Sequence, residues 1–450
     1  MRIVIAGAGE VGSHLAKMLS NEANDITVID SDQGRLDSLS AIADIVTVNG
    51  NSSEIGVLRE AGVPEADLFI AVNPSESQDV NIVSAILAKK LGSRKVTARV
   101  NTEEYLSFEN KNIFTEMGID LLFYPEKIAA NEIVDLLRHN ASTDSMDFAR
   151  VQMSVFKVED DSPLLDMNVL DLSRHATSDD LQFRVVAISR NNSTIIPKVD
   201  TKFKYHDLVY IISKREGTQM LMKLIGAVNL EVSKVMILGG SHTAEMVARQ
   251  IIGKVDVIKI IDNNKSRCLE LSETLGDKVS VINADGRNSD VLVEEDIRNF
   301  DAFVALTGSS EANILACVAA KRLGIPRTIA EVENIEYIRL ADGMGVDAVI
   351  NKKLITASRI FKFTLSDKVR FIKYMNGTNA EVLEYIVVKD AKITSGSLMD
   401  LDFPKDAIVG GVIRGNNSFI AVGSTQIQEY DRVVVFALPE AVREVDKFFK

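Results

Sequence analysis

The feature that most limits how this chain can fold is an internal duplication. Pairs 232 positions apart include Gly7 and Gly239, Asp30 and Asp262, and Gly92 and Gly324, and pairs 224 positions apart include Asp207 and Asp431. The chain of 450 residues therefore consists of two halves of about 225 residues each. Because solenoid repeats span only about 20 to 45 residues, a period this long indicates a duplicated pair of domains.

Each half changes its pattern once along its length. In the first half, short apolar runs at 2–6, 26–30, 68–72 and 96–100 alternate with segments of helical spacing. Such runs are typical of a parallel sheet covered by helices on both faces, which predicts a doubly wound Rossmann-like α/β domain. The segment that follows is richer in strands and predicts a small α+β domain. We predict four domains, over residues 1–140, 141–228, 229–366 and 367–450.

Composition excludes several classes of protein. The 64 acidic and 51 basic side chains give a formal charge of −13, which does not suit a nucleic-acid-binding protein. The two cysteines, Cys268 and Cys317, form no C-x-x-C pair and predict a reducing compartment without a zinc site. The apolar run at the N-terminus is too short for a signal peptide, and no window reaches the 18–20 apolar residues of a membrane helix. We expect a cytoplasmic protein, or one that docks on a membrane through a partner.

The strongest motif follows the first predicted strand and opens a helix. It comprises Gly7, Ala8, Gly9, Glu10, Val11 and Gly12. In a dinucleotide-binding fingerprint, the three glycines permit the tight turn, the approach of the pyrophosphate and the packing of helix on sheet. Asp30 ends the second strand, where a carboxylate accepts hydrogen bonds from the adenosine ribose and repels a 2′-phosphate. The first copy therefore predicts an NAD(H) site, and the alternative is a Rossmann core whose site has decayed.

The second copy of this motif is weaker. It begins at Gly239, has Ser241 where the middle glycine would be, and has Ala244 where the last would be. Alanine is tolerated in the last position, but Ser241 adds a Cβ where phosphate comes closest. Asp262 retains the ribose-binding position. Cofactor binding and a purely structural role are both open for this copy.

Further polar residues follow the predicted strands, at the edge where ligands bind in such folds. They are Asn51, Asn73 and Arg99 in the first half, and Asp285 and Thr307 in the second. A guanidinium at Arg99 suits phosphate, although an ordinary surface arginine is the alternative, and its counterpart is Glu331. Asn51 and Asp285 suit adenine or ribose, with helix capping as the alternative.

Groups for catalysis are few in this sequence. No two of its five histidines share the spacing of metal ligands, and it contains neither a G-x-S-x-G motif nor a P-loop. We predict no catalytic residues and no metal site, and we expect nucleotide sensing rather than turnover. The alternative is an NAD-dependent oxidoreductase.

The duplicated order of domains resembles the TrkA family of potassium-uptake regulators, whose units are similar to domains that regulate the conductance of potassium (RCK domains). The resemblance covers essentially the whole chain. It is carried by residues 2–12, 28–30, 73–81 and 98–99 and by the order of the four domains. It implies a cytosolic subunit, peripheral on the inner membrane face, that forms a homotetrameric ring of eight Rossmann domains beneath a membrane potassium-translocating subunit. It also implies that NAD(H), and ATP or ADP, control this ring.

Overall fold

The computed structural model describes the chain except for short gaps. The described residues are 1–20, 24–74, 77–138, 144–148, 151–158, 160, 162–174, 183–190, 193–214, 217–226, 231–361, 369–374 and 380–450. The predicted boundaries near 140, 228 and 366 all fall in the gaps, so the four domain ranges stay predictions. The chain divides into two compact units, Met1–Ala129 with Lys352–Thr364, and Ala130–Asn351 with Leu365–Lys450.

The first sheet is parallel, six-stranded and ordered β3-β2-β1-β4-β5-β6. Its strands are β1 (Arg2–Ala6), β2 (Asp25–Asp30), β3 (Val46–Asn49), β4 (Leu68–Ala71), β5 (Lys95–Arg99) and β6 (Leu121–Phe123). Its helices are α1 (Glu10–Ser20), α2 (Gln33–Ser40), α3 (Ile55–Glu60), α4 (Gln78–Leu91), α5 (Lys111–Glu116) and α6 (Pro125–Arg138). The central strands are continuously apolar because helices cover both faces. The strand order reverses between β1 and β4, which places a crevice at their carboxyl ends.

The second sheet is antiparallel, five-stranded and ordered β10-β9-β11-β8-β7. Its strands are β7 (Asp144–Phe148), β8 (Val151–Lys157), β9 (Phe183–Arg190), β10 (Ser193–Ile195) and β11 (Leu208–Lys214), accompanied by helices α7 (Val169–Arg174) and α8 (Thr218–Leu224). The charge pair Arg190–Asp207 joins its β9 strand to the loop before β11, with Nη2 2.6 Å from Oδ2.

The third sheet repeats the first, as the duplication predicts, in the order β14-β13-β12-β15-β16-β17. Its strands are β12 (Lys234–Leu238), β13 (Val257–Asp262), β14 (Ser280–Asn283), β15 (Ala302–Ala305), β16 (Arg327–Glu331) and β17 (Ala348–Ile350). Its helices are α9 (His242–Ile251), α10 (Lys265–Leu275), α11 (Ser289–Glu294), α12 (Ser310–Arg322) and α13 (Ile335–Gly343), and α14 (Lys352–Phe361) follows in the chain.

The fourth sheet repeats the second, in the order β18-β19-β22-β20-β21. Its strands are β18 (Val369–Tyr374), β19 (Glu381–Ile386), β20 (Ala407–Arg414), β21 (Asn417–Ile420) and β22 (Arg432–Ala437), and α15 (Pro439–Phe448) ends the chain. Apolar side chains of the two antiparallel sheets share one core, in which the rings of Tyr210 and Phe436 lie 5.8 Å apart. The predicted fold class, two Rossmann-like domains each followed by a small α+β domain, is confirmed.

One helix packs away from the sheet that precedes it in the chain. Helix α14 follows the third sheet, yet it packs on α1 and belongs to the first compact unit. An amphipathic helix is stabilised by any surface that covers its apolar stripe, so the sequence pattern does not determine which sheet it packs on. Elements from both halves of the chain therefore build the surroundings of the first glycine motif.

Candidate nucleotide-binding site

The first glycine motif forms a tight turn between β1 and α1. Gly7 has φ +109°, and a Cβ there would lie 2.8 Å from the backbone nitrogen of Asn73. A Cβ at Gly12 would lie 1.8 Å from the carbonyl oxygen of Gly7. At Gly9, by contrast, a Cβ would meet nothing within 4 Å. Gly7 and Gly12 are thus required by the fold itself, whereas Gly9 leaves open space at the N-terminus of α1, where backbone N–H groups favour an anion.

Asp30 lies beside this turn and is only 6% exposed. Its Oδ2 accepts a hydrogen bond from the Ala8 N–H at 2.6 Å, and its Oδ1 accepts one from the Asp32 N–H at 2.8 Å. Because each carboxylate oxygen has two acceptor sites, both can still accept from ribose hydroxyls. The carboxylate therefore positions the glycine turn in addition to offering the predicted ribose contact.

A cavity of about 430 Å³ opens between α1 and α2 next to Asp30. Its lining residues are Ala8, Ser13, Asp32, Gly34, Arg35, Ser38, Leu39 and Ile42. Arg35 is 47% exposed and lies against the carboxylates of Asp30 and Asp32, at 4.0 and 3.5 Å. The open turn, the ribose-type carboxylate and the cavity together fit the adenosine and phosphate parts of a nucleotide.

A buried asparagine ties the strand ends of this edge together. Asn81 on α4 is fully buried, and its Oδ1 accepts from the Asn73 N–H at 2.9 Å and from Asn73 Nδ2 at 3.0 Å. Its Nδ2 donates to the carbonyl oxygen of Arg99 at 3.3 Å. Asn313 does the same in the second copy, accepting from the Thr307 N–H at 2.9 Å and donating to the Glu331 carbonyl at 2.8 Å. Sequence reasoning missed this positioning role, although the match of Asn81 with Asn313 in the repeat signals it.

Arg99 and Asn51, two further predicted site residues, also have protein partners. Arg99 Nη2 donates to Glu126 Oε1 at 2.9 Å, and this pair is largely shielded from water. Arg99 Nε and Glu126 Oε2 are buried and have no hydrogen-bond partner within the described residues. Asn51 Oδ1 accepts from the N–H and the hydroxyl of Ser53, at 3.0 and 2.8 Å. Both roles in nucleotide binding stay predictions, and Arg99 must leave or share Glu126 to reach a phosphate.

The second edge repeats the carboxylate geometry. Gly239 has φ +97°, and Asp262 accepts from the Gly240 N–H at 2.6 Å and from the Asn264 N–H at 2.7 Å. Asp285 pairs with Arg287 at 2.7 Å, and hydrogen bonds from Arg287 lower the pKa of Asp285 to about 2. An anionic Asp285 of this kind offers only acceptors to a ligand.

Two further residues near the first turn were not predicted to belong to the site. Lys353 on α14 lies 3.2 Å from Glu10, the first residue of α1. His14 lies one turn further along α1, and its buried Nε2 has no hydrogen-bond partner in the part of the chain that the structure describes. Burial, followed by the charges of Lys353 and Lys17, lowers the pKa of His14 to about 4. The spacing of residues in the sequence does not predict that α14 packs on α1.

The fold and the edge residues together define a duplicated Rossmann protein with a nucleotide-type site in its first copy. Its sequence matches the TrkA-N domain at residues 3–125 and 235–352, and the TrkA-C domain at residues 153–226 and 382–450. The chain therefore belongs to the TrkA family, as its resemblance implied. Within the described residues, no helix is long and apolar enough to cross a membrane, and no three His, Cys, Asp or Glu side chains cluster as metal ligands do.

Relatives of known name match the chain over its full length. The Trk system potassium uptake protein TrkA homolog of Archaeoglobus fulgidus is 34% identical over 100% of both chains. The Trk system potassium uptake protein TrkA of Halomonas elongata is 32% identical over 100% of this chain and 99% of its own. Among solved structures, the GsuK RCK domain aligns with a TM-score of 0.62 at 15% identity, covering 100% of this chain and 94% of that one. The GsuK channel bound to NAD aligns with a TM-score of 0.61 at 15% identity, covering 100% and 78%. These structural matches support the RCK-type fold.

Proposed function

We propose that this protein is the non-enzymatic regulatory subunit of a Trk-type potassium uptake system, controlled by nucleotide binding. It acts in the cytoplasm, on the inner face of the membrane, through a potassium-translocating membrane subunit. NAD(H), and ATP or ADP, bind at the carboxyl edge of the first sheet. The observation that carries this proposal is the open turn at Gly9 beside the buried carboxylate of Asp30, in a chain that matches Trk relatives end to end.

Nucleotide binding is coupled to potassium flux by linkage. A ligand shifts a gate only by the difference between its affinities for the two states of the assembly, and typical couplings are about 1–3 kcal/mol. The redox or phosphorylation state of the bound nucleotide is the signal that the protein senses. The chain's residues supply the contacts: the N-terminus of α1 for phosphate, Asp30 for ribose, and Arg99, Asn51 and Asn73 around them. Asp262, Asp285 and Thr307 occupy the corresponding edge of the second copy.

Replacing Asp30 with asparagine is expected to weaken NADH binding at the first site about 10- to 100-fold. The reason is that a charge-assisted hydrogen bond is worth about 1.5–3 kcal/mol. The change also removes a backbone contact at the turn. Asp262→Asn is the matched control, because Asp262 makes the same two backbone contacts in the second copy. Titration calorimetry measures the affinity of both variants for NADH.

Asp262→Asn should leave the affinity of the first site for NADH unchanged. It should lower the stability of the protein about as much as Asp30→Asn does. Equal NADH affinity in Asp30→Asn and wild type would contradict the assignment of the ribose contact. Steady oxidation of NADH by the wild-type protein with a small carbonyl substrate would favour the oxidoreductase alternative.

Assembly into a ring is supported by exposed apolar side chains that recur in both Rossmann copies. Val83 on α4 corresponds to Leu315 on α12, and Ile113 and Met117 at α5 correspond to Leu340 and Met344 at α13. All six are exposed in the single chain. Apolar side chains retained on the surface in both copies fit a self-association surface, and closed rings are a common symmetric solution.

Substituting aspartate at Ile113 and Leu340 together is expected to break the proposed homotetramer into smaller species. A charge buried in an apolar contact without a partner is strongly unfavourable. Light scattering after size exclusion measures the mass. Val199→Asp is the control, because Val199 is also an exposed apolar residue but its counterpart in the second half is Gly423. A double variant that stays a tetramer would show that these side chains do not form the interface.

A further inference from the structure

The second Rossmann copy differs from the first at the mouth of its candidate site. Arg267 corresponds to Arg35, but its side chain is 16% exposed where that of Arg35 is 47% exposed. Arg267 Nε donates to the carbonyl oxygen of Gly240 at 2.6 Å, and its Nη2 lies 2.7 Å from Glu245 Oε2. Its Nη1 lies 2.8 Å from Glu270. The guanidinium therefore lies against the glycine turn, held by two carboxylates.

Substitutions between the copies account for this position of Arg267. Ser13, which lines the cavity of the first copy, is replaced by Glu245, and Ser38 is replaced by Glu270. Ala8 is replaced by Gly240, where a Cβ would lie 3.1 Å from Arg267 Cγ and 2.9 Å from a methyl of Leu271. The second copy thus gains both carboxylates that hold the arginine and loses the methyl group that would crowd it.

One backbone N–H at the N-terminus of α9 is also already bonded to a side chain. Ser241, in the place of Gly9, accepts a hydrogen bond from the Ala244 N–H at 3.2 Å. Glu245 lies in the first turn of this ten-residue helix, where its carboxylate already makes the favourable interaction with the helix dipole that a phosphate would otherwise make. Burial by itself raises the pKa of Glu245, but its pairs with Arg249 and Arg267 outweigh burial and lower it, so the carboxylate is charged.

We infer that the pair Arg267–Glu245 closes the second Rossmann copy to nucleotides, so that each chain binds one nucleotide, at the first copy. Arg267 lies against the turn that phosphate would approach, and Glu245 and Glu270 occupy its guanidinium so that it is not available to a phosphate. This inference rests on the proposed function for the ligand class, an adenine nucleotide. Asp262 keeps the geometry of Asp30, so the inference assigns the difference between the two sites to the substitutions around Arg267, and to Glu245 first among them.

Glu245→Ser, which copies Ser13, is expected to open the second site. Calorimetry with NADH on the full chain should give one equivalent per chain for wild type and two for the variant. Glu245→Ala, which favours helix, is a second route to the same result. Arg249→Ala is the matched control, because it removes the other partner of Glu245, at 2.8 Å, and leaves the pair with Arg267. The control should bind one equivalent.

The outcomes separate this inference from the proposed function. Two equivalents in wild type, or one equivalent in wild type and in both folded Glu245 variants, would overturn the closure while nucleotide binding stands. No binding in wild type and one equivalent in Glu245→Ser would support the closure and remove the proposed first site. No binding in any of these proteins would overturn both.

Discussion

Replacing Gly9 with aspartate is expected to lower the affinity for NADH about 100-fold or more while the protein stays folded. Gly9 lies directly before α1, its φ is not positive, and a Cβ there meets nothing within 4 Å. Aspartate directly before a helix caps it and stabilises the fold by about 1 kcal/mol. This gain offsets the repulsion between the new carboxylate and that of Asp30. The same carboxylate stands where phosphate approaches, and a like charge there costs several kcal/mol.

The control for this change is Gly56→Asp. Gly56 is exposed on α3, and a Cβ there also meets nothing within 4 Å, so the two variants add the same side chain at similar cost to the fold. Calorimetry gives the affinity, and thermal denaturation followed by circular dichroism gives the stability. If Gly9→Asp bound NADH as wild type does, the phosphate site would lie elsewhere.

Lowering the pH from 7 to 4.5 is expected to lower the free energy of unfolding, or of any local opening that exposes His14, by about 2–3 kcal/mol through His14 alone. Its pKa is 6.5 in the unfolded chain and about 4 in the folded protein. Between these values the unfolded chain binds the proton and the folded chain does not, so stability falls as the pH falls through this window. Well below pH 4 both states are protonated and this contribution falls no further.

The charged groups around His14 define the control and the readout. Lys17 and Lys353 oppose protonation, and Glu10 is paired with Lys353 at 3.2 Å. Hydrogen exchange of the amides of α1 and α14 measures local opening in wild type, His14→Gln and His242→Gln. His242 is the exposed residue that corresponds to Glu10 in the second copy. The pH dependence should shrink in His14→Gln only, and an equal pH dependence in all three proteins would contradict the assignment.

Much of the first site could be predicted from the sequence because its constraints are local. Gly7 is required by its positive φ in the turn, and Gly12 by its contact with the carbonyl group of Gly7, so their spacing carries the information. Asp30 ends the strand beside this turn, and parallel strands bring their carboxyl ends to one edge. The duplication likewise predicted that the third and fourth sheets would repeat the first and second.

The rest depends on side chains and on packing over long distances. The pairing of Arg99 with Glu126 depends on where α6 begins, and the contact of Lys353 with Glu10 depends on α14 packing on α1. The position of Arg267 depends on several substitutions acting together. No periodicity in the sequence signals the pairs Arg99–Glu126, Lys353–Glu10 and Arg267–Glu245, because each joins residues that are more than 20 positions apart in the chain.

Potassium uptake in cells that lack this protein tests the central claim most directly. The cells are complemented with wild type, Gly9→Asp or Gly56→Asp, and uptake is followed while the cellular ratio of NADH to NAD⁺ is changed. We expect wild type and Gly56→Asp to restore uptake that responds to this ratio, and Gly9→Asp to be present at equal level without the response. Uptake that is the same with and without the protein, or an unchanged response in Gly9→Asp, would contradict nucleotide control of potassium transport through the first Rossmann copy.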